Sequence, residues 1–93
     1  MEIKHQNFET KGRFFIEYQS KVLAEMTYSN AGKDRIIIDH TEVNESLQGR
    51  GVGYKLVGEA VAHARKNNLK IIPLCPFANA VFKKKSEFKD VLQ

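Results

Sequence analysis

Residues 47–54 read Leu-Gln-Gly-Arg-Gly-Val-Gly-Tyr, with glycine at positions 49, 51 and 53. From Val52 onward, Leu56, Val57, Ala60, Val61 and Ala64 recur on one helical stripe. Alternating glycines permit a tight turn and leave the backbone bare. A helix beginning there has first-turn N–H groups without intrahelical partners. Such a loop-to-helix junction suits a phosphate-like anion, and Arg50 adds a full positive charge. The spacing is Gln-x-x-Gly-x-Gly, which is neither the dinucleotide fingerprint nor a P-loop, since no Gly-Lys-Ser/Thr follows. An ordinary helix start after a glycine turn is the competing reading.

The chain before this loop reads as strands. Ile3 to Phe8 forms a short edge strand, and Thr10-Lys11-Gly12 a turn. Arg13 to Tyr18 alternates, with Phe14, Ile16 and Tyr18 on one face. After a turn at Gln19-Ser20-Lys21, Val22, Ala24, Met26 and Tyr28 alternate with Leu23, Glu25 and Thr27. Ser29-Asn30-Ala31-Gly32 is turn chemistry. Arg35 to Val43 is the next strand, and Ile36-Ile37-Ile38 is apolar on both faces, as in a central strand. Its far end turns polar at Asp39, His40, Thr41 and Glu42, where α/β sheets tend to hold ligands.

Beyond the loop the stripe predicts a helix from Gly51 to Asn67, stopped by Asn67-Asn68. Leu69 to Leu74 is a short apolar strand, parallel to the one before the helix. Cys75-Pro76 opens a second helix, with proline at its favoured first position. Phe77, Val81 and Phe82 are expected in the core, and Lys85 to Gln93 forms a partly helical tail. The fold class is α/β: a mixed sheet, an antiparallel meander followed by a parallel β-α-β unit, in a single domain over residues 1–93.

With 93 residues, one core is affordable and two are not. The start, Met1-Glu2-Ile3-Lys4-His5, is too polar for a signal peptide, and no apolar run reaches membrane-spanning length. A cytoplasmic protein with no membrane partner is expected. The single cysteine excludes an intramolecular disulfide and suggests no metal site. Fifteen Lys and Arg against 11 Asp and Glu give a net charge of +4, which favours an anionic partner. Lys83-Lys84-Lys85 reads as a solvated helix face, and no nucleic-acid motif accompanies it.

The order of antiparallel strands, Gln-x-x-Gly-x-Gly loop, helix, parallel strand and helix resembles the GNAT superfamily, the Gcn5-related N-acetyltransferases. The match runs from Ile36-Ile37-Ile38 through Val43 and the loop to Leu74. Further features are similar to a very small, truncated GNAT-like subfamily: His40-Thr41-Glu42-Val43, Ala64-Arg65 and Pro73-Leu74-Cys75-Pro76-Phe77. The resemblance implies a compact acetyl-CoA-binding fold, with acetyl-CoA as cosubstrate. It carries cofactor contact onto Gln48, Gly51 and Gly53 of the motif, with Gly49, Arg50 and Val52 between them. It adds backbone contact at Val43 and a polar contact at Asn79. Two departures stand out. The family's extra helices between its first strands and its extra terminal strands find no place here. Where the family often places a general-acid tyrosine, this chain has Phe82-Lys83-Lys84.

Three residues are candidates for chemistry. Cys75 stands at a helix N-terminus, where unpaired N–H groups favour a thiolate; a small buried residue is the alternative. His40 ends one strand and Cys75 the neighbouring one, so the two are expected to face each other. His40 could then take a proton from Cys75 or from an incoming amine. Glu42 is an alternative base on His40's face, with Asp39 on the other unless a bulge intervenes. His5 and His63 belong to no constellation and are expected at the surface. Two functions follow. One is an acetyltransferase moving acetyl from acetyl-CoA to an amine or protein acceptor, directly or through Cys75. The other is a non-catalytic acetyl-CoA or CoA module completed by a protein partner.

Overall fold

The computed structural model describes residues 2–93. Strands β1 (Lys4–Asn7), β2 (Lys11–Tyr18), β3 (Lys21–Ala31) and β4 (Arg35–Val43) form the expected antiparallel meander. Helix α1 (Val52–Asn67) then crosses to β5 (Lys70–Pro73), which pairs parallel to β4. The sheet order is β1-β2-β3-β4-β5. Helix α2 (Pro76–Lys84) and a 3-10 segment (Ser86–Val91) complete the chain. No helix among the described residues is long and apolar enough to cross a membrane.

Local chemistry explains the joints. Gln19 and Ser20 both have positive φ, 49° and 66°, the backbone of a tight two-residue hairpin. The β3–β4 turn begins at Gly32 (φ 72°) and lies later than Ser29-Asn30 suggested. Those two polar residues stay in β3, because Asn30 Nδ2 donates to Asn7 Oδ1 and the Phe8 carbonyl, and Ser29 Oγ to Asp39. Lys11 and Gly12 likewise belong to β2. Helix α1 ends at Asn68 in the left-handed conformation (φ 55°), whose N–H donates to the Ala64 carbonyl.

One face of the sheet carries the core. Met26, Tyr28, Ile36, Ile38 and Ile71 meet Leu56, Val57, Ala60, Val61 and Ala64 of α1, with Ala78, Val81 and Phe82 of α2 beside them. Each fully buried Leu or Ile contributes about 1.5–3 kcal/mol. Tyr18, expected on this face, is 61% exposed beside the hairpin tip, where the β2–β3 register shifts after Ile16. The C-terminal tail is tied down. Arg65 holds Asp90 with two hydrogen bonds (2.9 and 2.8 Å), Lys70 Nζ donates to the Asp90 carbonyl, and Leu92 bridges to Ile71.

His5 and His63 are not isolated. The His5 ring stacks on Phe14 at 4.1 Å, meets His63 edge-on at 4.7 Å, and its Nε2 lies 2.6 Å from Tyr28 Oη. This cluster joins β1 and α1, elements far apart in sequence, which is why local spacing gave no sign of it. Tyr28 reaches it by crossing Gly12, where a Cβ would stand 2.5 Å from Tyr28 Cζ.

Candidate functional site

Strands β4 and β5 pair only as far as Ile38 and Pro73. The last link is the Cys75 N–H donating to the Ile38 carbonyl at 3.0 Å. Beyond it β4 continues alone on that side to Val43, and a cleft of about 390 Å³ opens. Thr41 and Val43 form its β4 wall. Leu47, Gln48 and Gly49 supply the loop, Gly51 to Tyr54 the start of α1, and Phe77 the start of α2.

The loop geometry follows from its glycines. Gly49 (φ 79°) and Gly51 (φ 69°) occupy the left-handed region, and a Cβ on either would meet nothing within 4 Å. Gly51 caps α1 without a side-chain hydrogen bond. The first-turn N–H groups therefore have no side-chain cap and carry the positive end of the helix dipole. Gln48 Nε2 donates to the Val43 carbonyl at 3.0 Å, fastening the loop to the end of β4. Arg50 is exposed in the same loop. Gly53 differs from the other two: its missing side chain is replaced by the Phe77 ring.

Residues after Ile38 do not keep simple alternation. Tyr28 pairs with Ile38, yet the next residue back, Thr27, pairs with His40, so Asp39 is an extra residue in β4. Asp39 is held outward by Ser29 Oγ at 2.7 Å. The bulge turns Thr41 and Val43, partners of buried Met26 and Ala24, toward the core side. It sends His40 and Glu42 to the other face, where His40 Nε2 and Glu42 Oε1 lie 2.8 Å apart. Arg13 and Glu25 occupy the same outer face, joined at 2.7 Å.

The expected pairing of His40 with Cys75 is therefore corrected. His40 is 64% exposed, whereas Cys75 is 4% exposed behind the cleft wall. The partner of Cys75 is Thr41: the thiol donates to Thr41 Oγ1 at 3.5 Å. Burial pushes the Cys75 thiol up. Hydrogen bonds offered to a thiolate by the Thr41 side chain and by backbone at Ala78, Phe77 and Thr41 outweigh this, and the thiol sits below its ordinary value. As expected, Cys75 caps α2, with Pro76 beginning the helix.

Of the other expected site residues, Val43, Gln48, Gly49, Gly51, Val52 and Gly53 all line the cleft. Asn79 does not. Its Nδ2 lies 3.4 Å from the Pro73 carbonyl, and it lines a separate recess with Lys83 and Lys89. Phe77 is 37% exposed and forms cleft wall instead of core. Thr41, Leu47 and Tyr54 also line the cleft. Tyr54, three residues past the cap, was legible from the helix start alone; Thr41 required knowledge of the bulge. Among the described residues lining the cleft, Tyr54 alone has a titratable side chain.

A family model described as GCN5-related N-acetyl-transferase matches residues 13–91. No curated protein matches the chain. Among solved structures, the NMR solution structure of a GCN5-like N-acetyltransferase candidate from Staphylococcus aureus is 42% identical, with a TM-score of 0.74. That match covers 99% of this chain and 87% of the other. A ribosomal-protein-alanine N-acetyltransferase from Brucella melitensis biovar Abortus shares 11% identity at a TM-score of 0.68, over 83% of this chain and 62% of that one. An IAA acetyltransferase from Bacillus cereus shares 20% at 0.60, over 82% and 54%. The last two likenesses are of fold alone, and this chain spans less than two thirds of each.

Proposed function

This chain belongs to the GCN5-related N-acetyltransferase family, and on that premise we propose that it binds acetyl-CoA between β4 and β5 and transfers the acetyl group to an amine. The observation that carries this reading is the loop itself. Two left-handed glycines with open space above them, Gly49 and Gly51, lead into a helix that lacks a side-chain cap. A pyrophosphate needs bare N–H donors of this kind. The backbone of Gly49 to Gly53 would hold it, with Arg50 adding charge at the rim. The lone stretch of β4 from Asp39 to Val43 offers backbone groups to the rest of the molecule. The thioester supplies an acetyl group already activated for transfer.

The chain's residues contribute position before chemistry. Gln48 keeps the loop at a fixed distance from Val43. Thr41 and Val43 present a neutral wall, which keeps charge away from the thioester. The amine must reach the cleft unprotonated, because His40 and Glu42 lie on the opposite face. Cys75 is a candidate relay only if its thiol leaves Thr41 and emerges into the cleft.

A second reading, a binding module completed by another protein, is favoured by one observation. Tyr54 is the sole titratable side chain among the described cleft residues, so no carboxylate or imidazole there serves as a base. One experiment separates the readings. Calorimetric titration with acetyl-CoA is paired with CoA release in the presence of primary amines and peptides. Binding with acceptor-dependent release supports transfer. Binding without release supports the module, and no binding at millimolar concentration rejects both. Mass spectrometry of the same samples reports whether Cys75 becomes acetylated.

A further inference from the structure

Phe77 and Gly53 are the second residues of α2 and α1, and they touch across the cleft. A Cβ built on Gly53 would lie 2.5 Å from Phe77 Cζ and 2.7 Å from Cε2. Carbon atoms pack at about 3.5–4.0 Å, so the ring occupies the notch left by the missing side chain. The same ring meets Tyr54 edge-on at 5.9 Å and 78°. Its neighbour Ala78 is fully buried, yet Phe77 keeps 37% of its surface exposed and lines the cleft. One part of the ring thus serves the contact between the helix starts, and another faces whatever enters.

We propose that Phe77 is a positioning residue: its ring, seated against Gly53, sets the distance between the starts of α1 and α2 and packs against the thin, unbranched β-alanine–cysteamine end of a pantetheine arm. The inference rests on the acetyl-CoA reading above. The glycine at 53 then has a role distinct from those at 49 and 51. It shapes the wall, while they free the backbone. Displacing the ring widens the cleft without altering the N–H donors of the loop.

A double-mutant cycle tests this, using Gly53→Ala, Phe77→Ala and their combination, with Phe77→Leu as a variant of intermediate bulk. Affinities for acetyl-CoA and for inorganic pyrophosphate are measured by calorimetry, and circular dichroism establishes that each variant is folded. Phe77→Ala is expected to weaken acetyl-CoA about tenfold, the loss of one well-packed aromatic contact. Pyrophosphate affinity stays near that of the parent, and Phe77→Leu recovers part of the loss. Gly53→Ala weakens acetyl-CoA in the parent but not in Phe77→Ala, where the notch is vacant. Equal effects of Gly53→Ala in both backgrounds overturn the proposal, as does an unchanged acetyl-CoA affinity in Phe77→Ala. Parallel loss of both ligands marks a merely structural role and overturns it too. If the parent binds no acetyl-CoA, the parent reading fails first and takes this one with it.

Discussion

The thiol of Cys75 lies 3.5 Å from Thr41 Oγ1, and His40, one residue earlier on the same strand, faces the other side of the sheet. The neighbour that can tune the thiol is therefore a hydroxyl. Thr41→Val removes the side-chain donor while keeping the shape. Burial, which opposes the thiolate, remains, so the thiol pKa should rise. The pH midpoint of Cys75 alkylation by a small reagent should move upward in Thr41→Val and stay unchanged in His40→Ala. A shift in His40→Ala would restore the pairing that the geometry argues against.

The His5–His63 cluster predicts a pH-dependent stability. Burial lowers both pKa values below 6.5, with His63 adding to the shift of His5 and Lys66 to that of His63. Above 6.5 these histidines are neutral in folded and unfolded chains alike. As pH falls through 6.5, the unfolded chain binds protons that the folded protein takes up only at lower pH, so stability drops until the folded values are passed. Asp90, held low by Arg65, acts only in the more acidic range around and below 3.8. The melting temperature should decline across the histidine range, and less steeply in a His5→Gln, His63→Gln double variant. Identical slopes in the two proteins would count against the cluster.

Gly12 should resist substitution. A Cβ there would stand 2.5 Å from Tyr28 Cζ and 2.6 Å from the Gln6 carbonyl oxygen. One of those atoms is backbone, so the strand pair itself must shift. Gly12→Ala should destabilise by about 1–3 kcal/mol, the range for overpacking. In a domain of this size each kcal/mol lowers the melting temperature by about 4–8 °C. A variant melting with the parent would mean that Tyr28 has room to move.

In the loop, Gly51→Val should weaken acetyl-CoA binding more than Arg50→Ala. The first forces a β-branched residue to φ 69° and places a side chain in the open space over the loop. The second removes an exposed charge, whose loss should matter most at low salt. Calorimetry at two ionic strengths checks both. A Gly51→Val protein binding as tightly as the parent would locate the ligand elsewhere.

The legible parts were those written in local pattern. The apolar run Ile36-Ile37-Ile38 marked a central strand, the stripe from Val52 to Ala64 marked α1, and Cys75-Pro76 marked the start of α2. Gly49 and Gly51 could be read as a tight turn with bare backbone because left-handed backbone is a property of single residues. What could not be read depends on partners. The bulge at Asp39 follows from how β3 registers against β4, and nothing in Asp39-His40-Thr41 announces it. Phe77 looks like core until Gly53, distant in sequence, supplies its notch. His5 and His63 look unconnected until the fold brings Phe14 and Tyr28 alongside them.

The extra residue at Asp39 acts on β4 as a frameshift acts on a message. Everything downstream is read out on the opposite side from the one its position number implies. Variation at 40 and 42, the chemically conspicuous positions, is thereby spent on the outer surface. Variation at 41 and 43 is expressed inside the cleft. A library meant to change what the cleft accepts should randomise Thr41 and Val43, leaving His40 and Glu42 free to drift for solubility or surface contacts.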